Sequence, residues 1–227
     1  ACRGCAAKLP AQPLSAALDR VGLGGQPEDA ARLDDHPGLL QSMDGFPALV
    51  SDPWLNGRLT ALHACSDLWA CGAGVSSAMA TVTLPMVPGN EQRELLVQTL
   101  AGIRSVLDEQ GAELIGGHTM ESRSTSPMPT SLGVQITLTV NGNSSAPPWL
   151  KSGLRIGDAL LISRPLGTGV LFAGAMAGAS KAADLDAALR GMARSQHTLL
   201  QQLTPLREGI HACTDITGFG LLGHLGE

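Results

Sequence analysis

A thiol and an amine stand three residues apart near the start of the printed sequence, at Cys5 and Lys8. Acidic residues then follow at separate places along the chain: Asp34-Asp35, Asp44, Asp67 and Asp215. Carboxylate oxygens are the ligands that hard divalent cations prefer. Such cations offset the charge of a nucleotide's phosphates before those phosphates are attacked. The set therefore predicts a polyphosphate site with divalent cations. The sequence contains no G-x-x-x-x-G-K-[ST] motif, which excludes a P-loop.

The thiol near the start admits more than one interpretation. The ammonium of Lys8 would lower the pKa of Cys5 and increase its thiolate fraction. The same two residues are also compatible with an ordinary thiol beside a solvated lysine. Cys2 and Cys5 form a C-x-x-C pair, a spacing found in zinc and redox sites. No second pair at zinc spacing follows, so this alternative is the less favoured one.

The acidic residues differ in how strongly they indicate a site. Asp34-Asp35 precedes a predicted strand, where adjacent acids are often only a solvated turn. Asp44 follows the apolar residues Leu39-Leu40, at the expected end of the buried strand 39–43, where a carboxylate is costly unless it is paired or bound to metal. His63 and Asp67 are four residues apart on a predicted helix and share one face. They form either a structural pair or part of the site.

Two glycine-rich segments also indicate possible ligand contacts. Gly116-Gly117-His118 ends a predicted strand, and its glycines would let the backbone approach a phosphate or an adenine. Asp215 precedes the turn 218–220 and a helix start. It could therefore cap that helix or hold a metal ion.

The elements that position these residues follow from hydrophobic periodicity. The pattern predicts helices at 14–21, 55–71, 90–110, 165–179 and 182–203. It predicts strands at 39–43, 75–84, 112–115, 131–140, 158–163 and 210–213. The alternation of 131–140 is the clearest in the chain, and Asn90 is the expected N-cap of the third helix. Because helices and strands interleave, the expected class is α/β or α+β with mixed sheets. The segment 141–148 is the best linker candidate and predicts domains at 1–146 and 147–227.

Composition limits the function classes. Of the 227 residues, 44% are hydrophobic and 15% are charged, a globular balance. The net charge of −5 is spread without a basic face, so nucleic-acid binding is not expected. No apolar run reaches the ~18 residues of a membrane span. Five irregularly spaced cysteines do not form a disulfide framework, so a reducing cytoplasm is expected.

Together these motifs resemble those of the selenophosphate synthetase (selenide, water dikinase) family. The similar stretches are Gly4-Cys5-Ala6-Ala7-Lys8, Arg32-Leu33-Asp34-Asp35, Ser42-Met43-Asp44, the segment 65–72, Gly116-Gly117-His118-Thr119 and the segment 214–224. The last stretch is the most specific, and the resemblance covers nearly the whole chain.

The resemblance implies a fold and a reaction. The fold is that of the aminoimidazole ribonucleotide synthetase superfamily, in which N-terminal domains of two subunits build a shared β-barrel with ATP near the interface. The reaction converts ATP, selenide and water into selenophosphate, orthophosphate and AMP, with Mg²⁺ and K⁺ as the expected cations.

The resemblance also implies roles for individual residues. Cys5 would be the catalytic thiol, and Lys8 would serve both catalysis and ATP binding. The further implied ATP contacts are Arg32, Leu33, Asp34, Asp44, Asp67, Gly116, Gly117 and His118. The implied Mg²⁺ ligands are Asp35, Asp67 and Asp215. The family usually has asparagine at the position of His63 and lysine at that of Arg164.

The family's C-terminal domain continues beyond the Asp215 motif. The chain is therefore expected to be a fragment with a truncated α/β C-terminal domain, dimeric but without turnover on its own. Some family members are fused behind a flavin-dependent dehydrogenase-like domain, with which the missing start methionine is compatible. Two alternatives stay open: another ATP-using enzyme of the same superfamily, and a non-catalytic nucleotide-binding dimer module.

Overall fold

The computed structural model describes residues 11–23, 28–33, 35–36, 38–122 and 133–226. Cys5, Lys8 and Asp34 lie outside the described residues. The α-helices of the described part are α1 Ala11–Arg20, α2 Pro53–Ala70, α3 Gly89–Leu107, α4 Thr168–Met176, α5 Ala182–Met192, α6 His197–Leu203 and α7 Gly220–Leu225. The strands are β1 Ala31–Arg32, β2 Leu39–Phe46, β3 Gly74–Leu84, β4 Glu113–Glu121 and β5 Gln135–Asn143.

The five strands form one mixed sheet in the order β1-β2-β5-β3-β4. β3 and β4 are parallel, and α3 connects them. The other neighbouring strands pair antiparallel, with Ser42 opposite Val140 and Asp44 opposite Leu138. The predicted α+β class with a mixed sheet is confirmed.

Among the described residues, helices cover one face of this sheet, and we call the other face, which carries the exposed Met43 and Met79, the open face. In β5, Ile136, Leu138 and Val140 are at most 1% exposed, whereas the alternate residues are half-buried. The buried side chains pack with those of α2 and α3 in a single apolar cluster. This alternation is the period-two pattern that the sequence predicts for the strand.

α2 carries several residues of the site and is fixed against α3 through two glycines. A Cβ atom on Gly57 would lie 2.3 Å from the Thr99 carbonyl oxygen, and one on Gly102 would lie 2.0 Å from that of Trp54. Asp52 caps the start of α2 by accepting a hydrogen bond from the Leu55 amide at 2.9 Å. Only glycine permits so close an approach of the two helices.

Several predicted elements differ in their bounds, and three of these differences concern residues discussed above. β2 continues to Phe46, so Asp44 lies inside a strand and not at its end. β4 continues to Glu121, so Gly116, Gly117 and His118 also lie inside a strand. α3 begins at Gly89 and is preceded by Pro88, whose carbonyl accepts from the amides of the first turn. Asn90 is therefore not the cap.

The second half of the chain departs further from the predictions. Residues 158–163 and 210–213 form no strand, because within the described ranges they make no continuous ladder; the Cys213 amide donates to the Leu150 carbonyl, but no run of such bonds follows. Leu161 is 88% exposed. The predicted helix 182–203 is interrupted at 193–196, just after Gly191, a weak helix former. None of the helices in the described ranges has both the length and the apolar character that crossing a bilayer requires.

Candidate functional site

Three carboxylates from distant parts of the chain meet beside the core. Asp29 lies just before β1, Asp67 lies on α2, and Asp215 lies in the segment before α7. One carboxylate oxygen from each residue lies within 4.8 Å of the others. We call these three residues the acidic cluster. Asp67 and Asp215 are two of the three metal ligands that the family resemblance implies.

The third implied ligand, Asp35, does not belong to this cluster. Asp35 is exposed in the turn between β1 and β2, as are Arg32 and Leu33 nearby. The sequence motifs did not identify Asp29. The signal present in the sequence was the acid pair Glu28-Asp29, which directly precedes the two small apolar residues Ala30 and Ala31. In the structure Ala30 is buried, so this acid pair does not belong to a solvated turn.

Neighbouring side chains fix the orientation of the cluster. The Ser42 hydroxyl donates a hydrogen bond to Asp67 Oδ2, and the Ser66 hydroxyl donates to Asp215 Oδ2. Ser42 projects from the helix-covered face of β2, and Ser66 precedes Asp67 on α2. Lys151 Nζ lies 3.2 Å from Asp29 Oδ1. The Thr214 hydroxyl also donates to Asp29 Oδ1 at 3.3 Å, so each carboxylate is held by at least one polar partner.

The electrostatics of the cluster favour a bound cation. Burial, together with the nearby Asp215 carboxylate, raises the pKa of Asp67 to about 7. Burial and Asp215 also raise the pKa of Asp29, although the Lys151 ammonium acts in the opposite direction. Desolvated carboxylates repel one another when all are ionised. A divalent cation would remove that repulsion, and an all-oxygen donor set suits Mg²⁺ or Ca²⁺.

Asp44 interacts with His63 beside the acidic cluster. His63 Nε2 on α2 lies 2.7 Å from Asp44 Oδ2 on β2, and the His63 ring packs 5.3 Å from that of Phe46. Burial lowers the pKa of His63, but Asp44 and the carboxylates of the cluster more than offset this, so the pKa is raised overall. The four-residue spacing of His63 and Asp67 predicts that they share one helix face, whereas in the structure the partner of His63 is Asp44.

The acidic cluster lines a cleft that residues from both halves of the chain form. Besides the cluster, the cleft is lined by Asp44, Lys151, Thr217, Phe219 and His224, among others. The Thr217 amide donates to His224 Nε2 at 3.2 Å, and the rings of His224 and Phe219 lie 5.9 Å apart. This local packing fixes the turn that follows Asp215. Thr217 and Phe219 belong to the segment that was the most specific part of the resemblance.

Gly116, Gly117 and His118 do not join this cleft within the described part of one chain. They lie on β4 at the far edge of the sheet, three strands from β2, or roughly 14 Å at the usual strand spacing. His118 is exposed and pairs with Thr81 on the open face. A Cβ atom on Gly117 would lie 1.9 Å from the Ala80 carbonyl oxygen. The close packing of β4 against β3 therefore explains why glycine occupies position 117.

The described cysteines are buried or half-buried. Burial raises the pKa of Cys65 and Cys71 to about 12 and that of Cys213 to about 11. Buried thiols of this kind are poor nucleophiles. Among the described residues, no thiol therefore has the properties of a catalytic one.

Comparisons with known proteins agree with this architecture. Residues 27–142 match the family model "AIR synthase related protein, N-terminal domain", and residues 155–227 match its C-terminal counterpart. Selenide, water dikinases from Bdellovibrio bacteriovorus and Pelobacter propionicus are each 33% identical, over 97% and 99% of this chain. The chain spans 64% of the length of each of these relatives.

The solved structures give the same fold. Thiamine monophosphate kinase from Aquifex aeolicus superposes with a TM-score of 0.66 at 16% identity, covering 87% of this chain and 65% of that protein. The N-terminal family-model match alone covers more than half of the chain and includes β1 to β4, β5 except its last residue, α2 and α3. The chain belongs to the AIR synthase related protein family.

Proposed function

We propose that the chain is part of an ATP-dependent selenide, water dikinase, which makes selenophosphate, AMP and orthophosphate from ATP, selenide and water. The similarity to enzymes of that name over nearly the whole chain carries this proposal. The acidic cluster supports it, because phosphoryl transfer requires the triphosphate charge to be offset. In this proposal Asp29 is a metal ligand in place of Asp35, for which the family resemblance implied that role.

The residues of the cleft have distinct proposed roles. Asp29, Asp67 and Asp215 would hold Mg²⁺, which supplies charge neutralisation to the triphosphate when bound. Ser42 and Ser66 keep two of these carboxylates oriented. Asp44, held by His63, faces the same cleft and would contact the nucleotide.

The remaining predicted contacts stay part of the proposal on the family resemblance. Lys8 would neutralise further phosphate charge, and Cys5 would guide the selenium nucleophile to the γ-phosphate, a proximity role. Arg32, Leu33, Asp34 and the segment Gly116–His118 would contact ATP, and K⁺ would be a second cation. We also propose a cytoplasmic location, supported by the irregular cysteines, and a fused flavin-dependent domain remains compatible with the sequence.

The role of Cys5 provides the test of this function. In the full-length protein that contains this sequence, Cys5→Ser should lose selenide-dependent turnover and keep its affinity for ATP, because the thiol would act in chemistry and not in nucleotide binding. Cys2→Ser is the matched control and should retain turnover. Phosphorus NMR detects selenophosphate directly, and calorimetry gives the ATP affinity.

Three results would contradict the proposal. Equal loss in both variants would favour the C-x-x-C alternative. Phosphorylation of another acceptor, such as thiamine monophosphate, in place of selenide would favour a different ATP-using enzyme of the superfamily. ATP binding without any turnover by the full-length protein would indicate a non-catalytic module.

We further propose that two copies of the chain join through the open face of the sheet. Met43 and Met79 on this face are 68% and 47% exposed, and both lie beside Thr139 of β5. Joining two such faces across a two-fold axis would bury them. It would also allow His118, which lies on the same face, to approach the partner's nucleotide.

The proposed dimer should dissociate when one exposed methionine of the open face is replaced by an acidic residue. The chain should sediment as a dimer at micromolar concentration, and Met79→Glu should make it monomeric, because a buried unpaired carboxylate is costly. Val97→Glu on α3 is the control, since Val97 is similarly exposed at 54% but lies on a helix. A monomeric unsubstituted chain, or equal dissociation in both variants, would contradict this interface.

A further inference from the structure

We propose that Lys151 is the counter-ion that a divalent cation displaces from the acidic cluster, and that the displaced ammonium then contacts a nucleotide phosphate. Lys151 lies in the segment after β5 and lines the same cleft as the cluster. Its second role rests on the nucleotide site of the proposed function. Its first role requires only the geometry of the carboxylates.

The ammonium and a cation bound to the same carboxylate would repel each other at short range. Lys151 Nζ is 3.2 Å from Asp29 Oδ1. A Mg²⁺ ion on the same oxygen would lie about 2.1 Å from it, and hence within about 5 Å of the ammonium. The side chains of Lys151 and Asp29 are only 18% and 6% exposed, so water screens this repulsion weakly. Occupation of the cluster by a divalent cation therefore favours movement of the ammonium away from Asp29.

Hydrogen bonds hold the backbone around Lys151 in place. The Lys151 amide donates to Glu28 Oε2 at 2.9 Å. The Leu150 carbonyl accepts from the Cys213 amide at 2.9 Å, and the Trp149 amide donates to the Cys71 carbonyl at 3.0 Å. These bonds keep the Cα atom of Lys151 at the cleft. The long side chain can then exchange one anionic partner for another without a change of fold.

A phosphate is the partner that fits the displaced ammonium. Apart from Lys151, the charged side chains that line the cleft within the described ranges are acidic, except for the titratable His224. Once a cation occupies the carboxylates, a nucleotide phosphate bound to that cation would bring negative charge to the position that Lys151 can reach. Lysine is a common phosphate ligand in proteins because it acts as a mobile point charge.

The two proposed roles of Lys151 predict that removing its charge increases the affinity for a divalent cation and decreases the affinity for a nucleotide. Lys151→Met keeps much of the length and removes the charge. Without nucleotide, it should bind Mn²⁺ about 10-fold more tightly, because the competing ammonium is gone. At saturating Mn²⁺, it should bind a non-hydrolysable ATP analogue at least ~10-fold more weakly, because a phosphate contact is lost. Paramagnetic resonance of free Mn²⁺ and calorimetry measure the two affinities.

Matched variants separate this proposal from a purely structural role. Lys151→Arg should keep nucleotide affinity near that of the original chain, and Lys181→Met, at an exposed position before α5, should change neither affinity. Lys151→Gln repeats the test if the methionine variant unfolds. Unchanged or weaker Mn²⁺ binding in both neutral variants would overturn the counter-ion role. Selenide is absent from these assays, so failure of the proposed reaction would leave their result unaffected.

Discussion

Replacing Asp67 by asparagine should make the cation-free chain more stable at pH 8. Burial and Asp215 raise the pKa of Asp67 from the model-compound value of 3.8 to about 7. In the unfolded chain this carboxyl ionises near pH 4, whereas in the folded chain it holds its proton until about pH 7. Its contribution to stability is therefore fully present below pH 4 and is lost as the pH rises to about 7. Asparagine carries no charge and avoids this loss.

The expected size follows from the pKa difference, since one unit corresponds to about 1.4 kcal/mol. The gain for Asp67→Asn over the original chain should therefore be on the order of 4 kcal/mol at pH 8 without divalent cations, and near zero at pH 4. Urea unfolding at several pH values in the presence of a chelator measures this difference. The raised pKa of Asp29, which burial and Asp215 cause, acts in the same direction and will remain in the variant. The pKa of His63 is also raised, but less so in the variant, because the Asp67 carboxylate is one of the causes of that shift.

Asp186→Asn is the matched control for this effect. Asp186 is exposed on α5, outside the acidic cluster. Its substitution should leave the pH dependence of unfolding unchanged. A lower stability of Asp67→Asn at pH 8 would contradict the conclusion that the Asp67 carboxylate is strained in the cation-free fold.

The same substitution should have the opposite effect on ligand binding. Asp67→Asn removes one of the three charges that would hold Mg²⁺, so Mg²⁺-dependent ATP binding should weaken at least ~10-fold, or by about 1.4 kcal/mol. Calorimetric titrations with ATP, with and without Mg²⁺, measure this. Asp35→Asn should have little effect on the Mg²⁺ dependence, because Asp35 is exposed outside the cluster.

The outcome distinguishes the two assignments of the third metal ligand. If Asp35→Asn and Asp67→Asn weaken Mg²⁺-dependent ATP binding equally and Asp29→Asn has no effect, then Asp35 is the third metal ligand, as the family resemblance implied. Unchanged ATP affinity in Asp67→Asn would exclude the acidic cluster as the metal site.

Local patterns predicted much of the first half of the fold. The alternation in β5, the apolar strand β3 and the helices α2 and α3 were predicted because each buries one face against the common core. The failures arise where structure depends on distant partners. Residues 158–163 have the apolar composition of a strand, but a strand also requires a neighbour to complete its hydrogen bonds.

The site was only partly predicted, because it too depends on contacts between distant parts of the chain. Asp67 and Asp215 were identified from their motifs, and the structure brings both together. Asp29 was missed because its significance comes from contacts with Lys151 and Thr214, which lie more than 120 residues away along the chain. The pairing of Asp44 with His63 likewise depends on the register of β2 beside α2, which spacing along the sequence does not reveal.

The separation of the cluster's residues along the chain also determines when the site can exist. The hydrogen bond between Ser66 and Asp215 joins residues 149 positions apart, and that between Thr214 and Asp29 joins residues 185 apart. Long loops close late, because their closure entropy must be offset by contacts already made. During synthesis, the sheet and α2 can form long before Asp215 leaves the ribosome. Cation binding by all three carboxylates therefore belongs to the last stage of folding, and earlier intermediates carry only part of the site.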